Sequence, residues 1–352
     1  MTQRMVFFVP TDNPVGGIAK ILDYAVHASR TGREVIFCCS ELKWPHLSSP
    51  LFKKPYFESY GSGIKICAAS ELEPRKDDII FFTLPSSHER LCALYAEVAG
   101  RDLTFIHLLQ NTRLSNTAFD NGYSYRLLSK PLRRICITQE VLDAVSPYVE
   151  NKDKLHLIPH GFDFDAFKNT PEQNDPITLF YNTFKSDLAK DVASAYRKAS
   201  QVSSVLEAKK GVSWDELRQF YAKGSIFIAS PLPEEGLYLP GLEAMAAGQL
   251  IIIPDAFGNR FYCDFGDNCI QVPYGDIAAY QKAIDWAIEH WTTEAFEMRK
   301  KGYEKSMSLG LDGEYKAFSS YLDEEFAPTG RSTRHARRSP RQARKLFGLL
   351  RG

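Results

Sequence analysis

Three common sequence signals are missing from this chain of 352 residues. It has no apolar run near the roughly 18 residues that a membrane-spanning helix needs, and its first residues, MTQRMVFFVP, lack the layout of a signal peptide. Its seven cysteines form no C-x-x-C pair and lie mostly in apolar runs such as residues 36–39, which favours buried thiols over a zinc site or disulfide bonds. Because reduced thiols are typical of the cytoplasm, we expect a cytoplasmic protein.

Acidic residues are missing from one segment, although the whole chain has 43 basic and 43 acidic residues. Residues 331–351 contain eight Lys and Arg, which leaves 35 basic against 43 acidic residues, a net charge of about −8, in the rest. We expect residues 327–352 to form a flexible arm whose last part becomes helical on an anionic membrane surface. The alternatives are binding to the protein's own acidic body and adventitious nucleic-acid contact, and no nucleic-acid partner is predicted.

Short apolar strands alternate with helical stretches in both halves of the chain, which is typical of α/β proteins with parallel sheets. The predicted strands are 5–9, 34–39, 64–68, 78–83, 103–106, 134–138, 155–159, 177–182, 203–207, 225–229, 250–253 and 269–272. The predicted helices include 18–29, 86–99, 140–148, 188–199, 214–222 and 277–291. We therefore expect two domains of similar build, residues 1–160 and 161–310, with a helix at 311–326 that packs back on the first domain.

Residues 230–249, SPLPEEGLYLPGLEAMAAGQ, carry the strongest functional signal. They follow a predicted strand and open a helix near Pro240, where proline suits the first turn. Glu235 and Glu243 are both expected to face the cleft at the carboxyl end of a parallel sheet. The helix N-terminus beside them favours phosphate. Since carboxylates accept hydrogen bonds from neighbouring hydroxyls, the combination indicates a sugar nucleotide. The alternative is a charged loop before an ordinary helix.

This segment resembles the E-x7-E signature of retaining GT-B glycosyltransferases, commonly E-G-F-G-L-P-x-L-E-A-M-A. Here it is E-G-L-Y-L-P-G-L-E-A-M-A, with departures at Leu237 and Tyr238. The resemblance implies two Rossmann-like domains that face each other across a cleft. It also implies that Glu235 holds hydroxyls of the donor sugar and Glu243 those of the ribose. The implied donor-binding set is Lys185, Lys190, Glu235, Gly236, Leu237, Tyr238, Leu239 and Glu243.

The join between the domains resembles another signature of the same family. Residues 157–167, LIPHGFDFDAF, are similar to I-P-N-G-V-D-x-x-x-F, with His160 at the Asn position. Asp163 and Asp165 form a D-x-D pair, which we interpret as turn residues, so no metal site is predicted. Only 23 residues separate Lys190 from Trp214. We therefore expect one β-α unit of the family to be absent, and no residue is assigned to recognition of the nucleotide base.

Two lysines follow the first strand that is predicted in the second half. Many members of the resembled family have R-x4-K here, where the cations neutralise the donor diphosphate, and this chain has Lys185 and Lys190 at that spacing. Lysine acts as a point charge for phosphate without the fork of arginine. The alternative is a pair of solvated lysines, although a lysine gains nothing from a helix N-terminus. The resemblance thus implies diphosphate binding, above all for Lys190.

Further candidates come from the loops of the first half. Gly16 and Gly17 lie in the first βα loop, which in the resembled family borders the acceptor and the leaving phosphate, the alternative being a plain turn. His107 is expected at a strand end below the reacting sugar, although a strand-end histidine is more often structural. The residues expected to line the cleft are Gln110, Asn111, Asn259 and Arg260.

The resemblance implies a retaining, metal-independent enzyme that moves a hexose from a nucleoside-diphosphate sugar to a hydroxyl acceptor. The acceptor could be a glycan, a lipid-linked glycan or a small molecule, and no cofactor is expected. The departing diphosphate would take the acceptor's proton, with His107, Glu235 and Lys190 as the catalytic residues. The alternatives are a non-catalytic member that binds a nucleotide or a partner protein, and a sugar-nucleotide epimerase that would need further acid-base groups.

Overall fold

The computed structural model describes residues 3–45, 48–98, 103–112, 123–165 and 167–326. The predicted basic arm, residues 327–352, lies outside the described residues. Within them, each half of the chain contributes one parallel β-sheet with helices packed against it. None of the described helices is long and apolar enough to cross a membrane.

The first sheet has seven strands: β1 (Met5–Thr11), β2 (Val35–Glu41), β3 (Ile64–Ala68), β4 (Ile79–Phe82), β5 (Thr104–Leu109), β6 (Arg133–Cys136) and β7 (Leu155–Leu157). They pair in parallel in the order β3-β2-β1-β4-β5-β6-β7. The helices of this half are α1 (Gly16–Arg30), α2 (Pro55–Tyr60), α3 (Pro85–Leu94), α4 (Tyr123–Leu128) and α5 (Gln139–Val145). Because core clusters cover both faces of the sheet, a central strand such as β4 is apolar and buried throughout.

The second sheet has five strands: β8 (Thr178–Asn182), β9 (Ser204–Ala208), β10 (Ile226–Ile228), β11 (Leu250–Pro254) and β12 (Ile270–Val272). They pair in the order β12-β11-β10-β8-β9. The helices are α6 (Leu188–Ser194), α7 (Trp214–Lys223), α8 (Leu239–Ala246), α9 (Ile277–Glu289), α10 (Glu294–Met307) and α11 (Leu311–Phe326). The common doubly wound sheet has one more strand beyond the position of β9. None of the described residues supplies it, in agreement with the short spacing before α7.

Several elements differ from the sequence prediction. Strand β5 runs to Leu109 instead of ending at 106, so His107 lies inside it. Helix α6 ends at Ser194, and the residues that follow form turns, where a helix to 199 was expected. Helix α10 was not predicted. Its buried residues, Ala295, Arg299, Gly302 and Ser306, have helical spacing but form no apolar stripe, so hydrophobic periodicity does not reveal this helix.

Helix α11 returns to the first half and packs against α1, with Phe318 and Leu322 in the core of the first sheet. Its buried Glu314 lies 2.7 Å from Lys20 Nζ and 2.9 Å from Nε2 of His27. The second carboxylate oxygen lies 2.9 Å from Nδ1 of His160 in the join between the halves. One carboxylate therefore connects α1, α11 and this join.

Candidate active site

The second sheet reverses its strand order between β8 and β10, which is where open α/β sheets bind ligands. Asn182 ends β8 at this place, and Ser230 lies two residues beyond the end of β10. The loop from β10 to α8 passes over the same strand ends. Polar side chains and the N-terminus of a helix are thus collected at the carboxyl edge of the sheet.

Glu235 lies in this loop and faces the strand ends. Its Oε1 is 2.9 Å from Nζ of Lys185, which follows β8. The approach is close enough for an ion pair but does not have hydrogen-bond geometry, and the oxygen is buried with no hydrogen bond to the described residues. Because the Lys185 side chain is 42% exposed, an ion pair of this kind contributes only about 0–1 kcal/mol to stability. Lys185 can therefore exchange Glu235 for another partner at low cost.

Glu243 lies on α8, whose start is fixed by Pro240 in its first turn. Its Oε2 accepts a hydrogen bond of 2.8 Å from the hydroxyl of Tyr221. Tyr221 is held in place by α7, which begins with a capping box between Ser213 and Glu216. Burial raises the pKa of Glu243 to about 7, although the Tyr221 hydroxyl and the charge of Lys54 both lower it. This carboxyl therefore titrates near neutral pH.

The two halves touch beside Glu235. A β-carbon on Gly236 would lie 1.8 Å from the carbonyl oxygen of Gln110 and 2.3 Å from Cα of Asn111, so only glycine fits there. Next to this contact, the hydroxyl of Thr112 donates to the carbonyl oxygen of Glu234 at 3.1 Å. The loop after β5 and the loop after β10 thus close against each other, and this contact places Glu235 directly beside the first half.

The first βα loop reaches the same place. Gln110 Nε2 donates to the carbonyl of Gly17 at 3.1 Å and to Thr83 Oγ1 at 3.0 Å. A β-carbon on Gly16 would lie 3.0 Å from Cδ1 of Leu239, at the start of α8. The structure therefore brings together five of the predicted positions, namely Gly16, Gly17, Gln110, Gly236 and Leu239.

His107 is not at the surface of the cleft, contrary to its expected place below a sugar. It is fully buried inside β5, stacks on Phe82 with ring centroids 4.8 Å apart, and donates from Nε2 to the Thr83 carbonyl at 3.0 Å. Burial lowers its pKa to about 3, with a smaller effect of Arg134, so the ring is neutral. In this structure His107 supports Thr83, which in turn contacts Gln110.

The turn that contains Asn259 and Arg260 packs against the Glu235 loop, since a β-carbon on Gly258 would lie 2.7 Å from the carbonyl oxygen of Glu235. Asn259 is fully buried and holds its own turn, since Nδ2 donates to the Pro254 carbonyl and Oδ1 accepts from the Ala256 amide. Arg260 is exposed and forms a bidentate ion pair with Asp255, with N–O distances of 2.7 and 3.0 Å. Lys190 is exposed in the first turn of α6.

Three residues of the site were missed by the sequence prediction: Asn182, Tyr221 and Ser230. The position of Asn182 and Ser230 at or just after strand ends is a usable signal, because such residues face the ligand edge of a parallel sheet. Tyr221 carried no such signal, since its contact with Glu243 joins two helices. Among the described residues, no group of three or more His, Cys, Asp or Glu has the arrangement of a metal site.

Comparison with known proteins adds a family match over part of the chain and a fold to this geometry. Residues 187–290, which include Glu235 and Glu243, match the family described as glycosyl transferases group 1. No curated protein matches the chain by sequence. Among solved structures, Anabaena HepE in complex with UDP and glucose has a TM-score of 0.69 at 12% identity, covering 92% of this chain and 100% of its own.

Two other solved structures are similar over the same share of this chain. A glycosyltransferase from Rickettsia africae has a TM-score of 0.67 at 14% identity, covering 92% of this chain and 98% of its own. Sucrose-phosphate synthase from Thermosynechococcus elongatus has a TM-score of 0.64 at 14% identity, covering 92% and 99%. At these identities the likeness establishes the fold.

Proposed function

We propose that this protein, which has the GT-B fold and matches group 1 glycosyl transferases over residues 187–290, moves a hexose from a nucleoside-diphosphate sugar to a hydroxyl acceptor. The observation that carries the proposal is the pair of carboxylates on either side of the start of α8, at the point where the strand order reverses. Glu235 has a buried oxygen without a hydrogen bond among the described residues, and a sugar hydroxyl can supply one. The UDP and glucose bound to Anabaena HepE support a donor of this class.

The diphosphate would lie between positive groups that converge on the contact between the halves. The N-termini of α1 and α8 meet there through Gly16 and Leu239, and backbone amides at helix starts favour phosphate. Lys185 would move from Glu235 to phosphate when a donor arrives, and Lys190 would approach from α6. Charge supplied in this way supports a reaction without a metal, with retention implied by the resemblance of residues 235–246.

Substitution of the two glutamates separates their proposed roles. Glu235→Gln should chiefly lower turnover because it faces the sugar, whereas Glu243→Gln should weaken binding of the free nucleoside diphosphate because it faces the ribose. A charge-assisted hydrogen bond of about 1.5–3 kcal/mol corresponds to roughly 10- to 150-fold. Steady-state kinetics and calorimetric titration measure the two effects. If both variants stay within a factor of two of the wild type, the assignment is wrong.

The raised pKa of Glu243 predicts that nucleotide binding depends on pH. Only the ionised carboxylate accepts two hydroxyls, and with a pKa of about 7 the neutral acid predominates at lower pH. Linkage then predicts that affinity for UDP or GDP rises about tenfold from pH 6 to pH 8, with release of a proton on binding. Calorimetry in buffers of different ionisation enthalpy measures that proton. Glu243→Gln is the control, because the variant lacks the carboxyl group while the nucleotide still ionises as before. If nucleotide affinity in this variant depends on pH as it does in the wild type, the assignment is wrong.

The first half offers an apolar surface for the acceptor. Val15 after β1, Trp44 after β2 and Leu84 after β4 are exposed at the carboxyl ends of three neighbouring strands. Asp12 accepts from the amides of Lys43 and Trp44, which ties the loop after β2 to the β1 loop. Because Val15 adjoins Gly16, this surface borders the proposed diphosphate site. It supports an acceptor hydroxyl attached to an apolar group, as in a lipid-linked glycan.

The basic segment 331–351 would hold the enzyme against an anionic membrane, where such an acceptor is presented. Each basic residue near the surface contributes about 1 kcal/mol, and salt weakens the attraction. Full-length protein should therefore co-sediment with anionic vesicles at low salt, while a 1–326 truncation should not. The truncation should still consume donor at the wild-type rate. Equal sedimentation of the two proteins would refute the membrane role.

A further inference from the structure

Four buried polar atoms at the carboxyl ends of β8 and β10 have no hydrogen bond among the described residues. They are Asn182 Nδ2, Ser230 Oγ, Glu235 Oε1 and the Tyr238 hydroxyl. Asn182, Ser230 and Tyr238 are each at most 3% exposed. Buried polar groups in folded proteins are nearly always hydrogen-bonded, so a cluster of exceptions at one place calls for a physical reason.

Tyr238 lies at the centre of this cluster. Its hydroxyl lies beside the side chain of Asn182 and the backbone of Ser230 without meeting hydrogen-bond geometry, and the charge of Glu235 acts on it. The residue is fixed from behind, since the hydroxyl of Tyr262 donates to its carbonyl at 2.8 Å. Its φ of −89° is an ordinary value for a side-chain-bearing residue. The ring is therefore held in place, and its hydroxyl lies near Asn182, Ser230 and Glu235.

The sequence shows why this matters. Tyr238 stands where the resembled E-x7-E signature has its second glycine. A complete tyrosine side chain is therefore added beside Glu235, the carboxylate that would hold the sugar. An aromatic ring there removes volume, while its hydroxyl adds a donor and acceptor. Replacement of glycine by tyrosine at this position therefore makes a binding pocket both smaller and more polar.

We propose that Tyr238 determines which sugar is transferred, by filling the inner end of the donor pocket beside Glu235 and completing its polar lining with Asn182 and Ser230. The inference rests on the proposed function and adds the class of sugar to it. The pocket takes a compact hexose whose hydroxyls hydrogen-bond to this cluster, and it rejects sugars with an acetamido group. Discrimination arises because a bulky substituent collides with a ring that has no room to retreat.

The test compares hexose and N-acetylhexosamine donors of the same nucleotide in wild type, Tyr238→Gly and Tyr238→Phe. The wild type should consume UDP-glucose or GDP-mannose at least tenfold more efficiently, by kcat/KM, than the N-acetylhexosamine donor. Tyr238→Gly should reduce that ratio by at least tenfold. Tyr238→Phe keeps the ring, so it should keep the ratio while lowering kcat/KM for the hexose donor, with the affinity for free UDP or GDP unchanged.

Three results would overturn the proposal. The first is a wild type that uses both donors equally, which decides the matter even if Tyr238→Gly does not fold. The second is a folded Tyr238→Gly with an unchanged ratio, and the third is the same change of ratio in Tyr238→Phe and Tyr238→Gly. Failure of the proposed function has a different signature, because the wild type would then consume neither the hexose donor nor the N-acetylhexosamine donor.

Discussion

Gly236→Ala should lower kcat/KM for donor consumption by at least about 100-fold. The new β-carbon would lie 1.8 Å from the carbonyl oxygen of Gln110 and 2.3 Å from Cα of Asn111, so the two loops must separate by more than 1 Å. A misplacement of about 1 Å near the chemistry can cost roughly 100-fold in rate. The obstacle is backbone on both sides, which leaves no flexible side chain to give way. Steady-state kinetics measures this loss of activity. A thermal unfolding midpoint close to that of the wild type would show that the variant still folds.

Gly313→Ala is the matched control for this substitution. Gly313 lies inside α11, where a β-carbon would meet nothing within 4 Å. Because alanine is about 1 kcal/mol better than glycine in a helix, this variant should be as active as the wild type and slightly more stable. An active Gly236→Ala would show that catalysis does not require the contact between the two halves.

Glu314→Ala should lower the free energy of unfolding by about 3–5 kcal/mol, the usual cost when a buried charge loses its partner. The substitution leaves Lys20 buried with Asp23 as its remaining close carboxylate, and it removes an acceptor from His27 and His160. Burial alone would raise the pKa of Glu314, but Lys20, His160 and His27 hold it well below its usual range. Its contribution is therefore complete above the unfolded pKa and is lost only as the pH falls through the folded value.

Urea denaturation at pH 7 measures this loss, and Asp312→Ala on the same helix is its control. Asp312 is exposed and lies 3.6 Å from Arg30, so its removal should cost no more than about 1 kcal/mol. If Glu314→Ala and Asp312→Ala are equally stable, the buried network does not hold α11 to α1. A loss in the first variant alone confirms the network.

The parallel sheets and the glutamate pair could be predicted from sequence because both depend on local patterns. Continuous apolar strands such as β4 identify a sheet covered on both faces, and the spacing of Glu235 and Glu243 places them around one helix start. The fold class of two Rossmann-like halves is confirmed by the strand orders and the similar structures. The five-stranded second sheet also agrees with the short interval before α7.

The errors come from contacts between residues far apart in the chain. His107 begins a polar-looking loop in sequence, but it pairs with β4 and β6 and stacks on Phe82, so the strand continues past it. Asn259 is a polar loop residue, as ligand-binding residues often are, but its side chain hydrogen-bonds to the backbone of its own turn. The closure of Gly236 on Gln110 joins loops more than a hundred residues apart, and no local pattern encodes such a contact.

The most direct test of the account is release of nucleoside diphosphate from UDP- and GDP-hexoses by the wild type in the presence of EDTA, with Glu235→Gln beside it. The account predicts that at least one donor is consumed without a metal and that the variant is about tenfold slower or more, as expected for loss of a charge-assisted hydrogen bond. Binding of UDP or GDP without consumption of any donor would contradict it and identify a binding module. Conversion of the donor to its epimer without release of nucleoside diphosphate would contradict it as well.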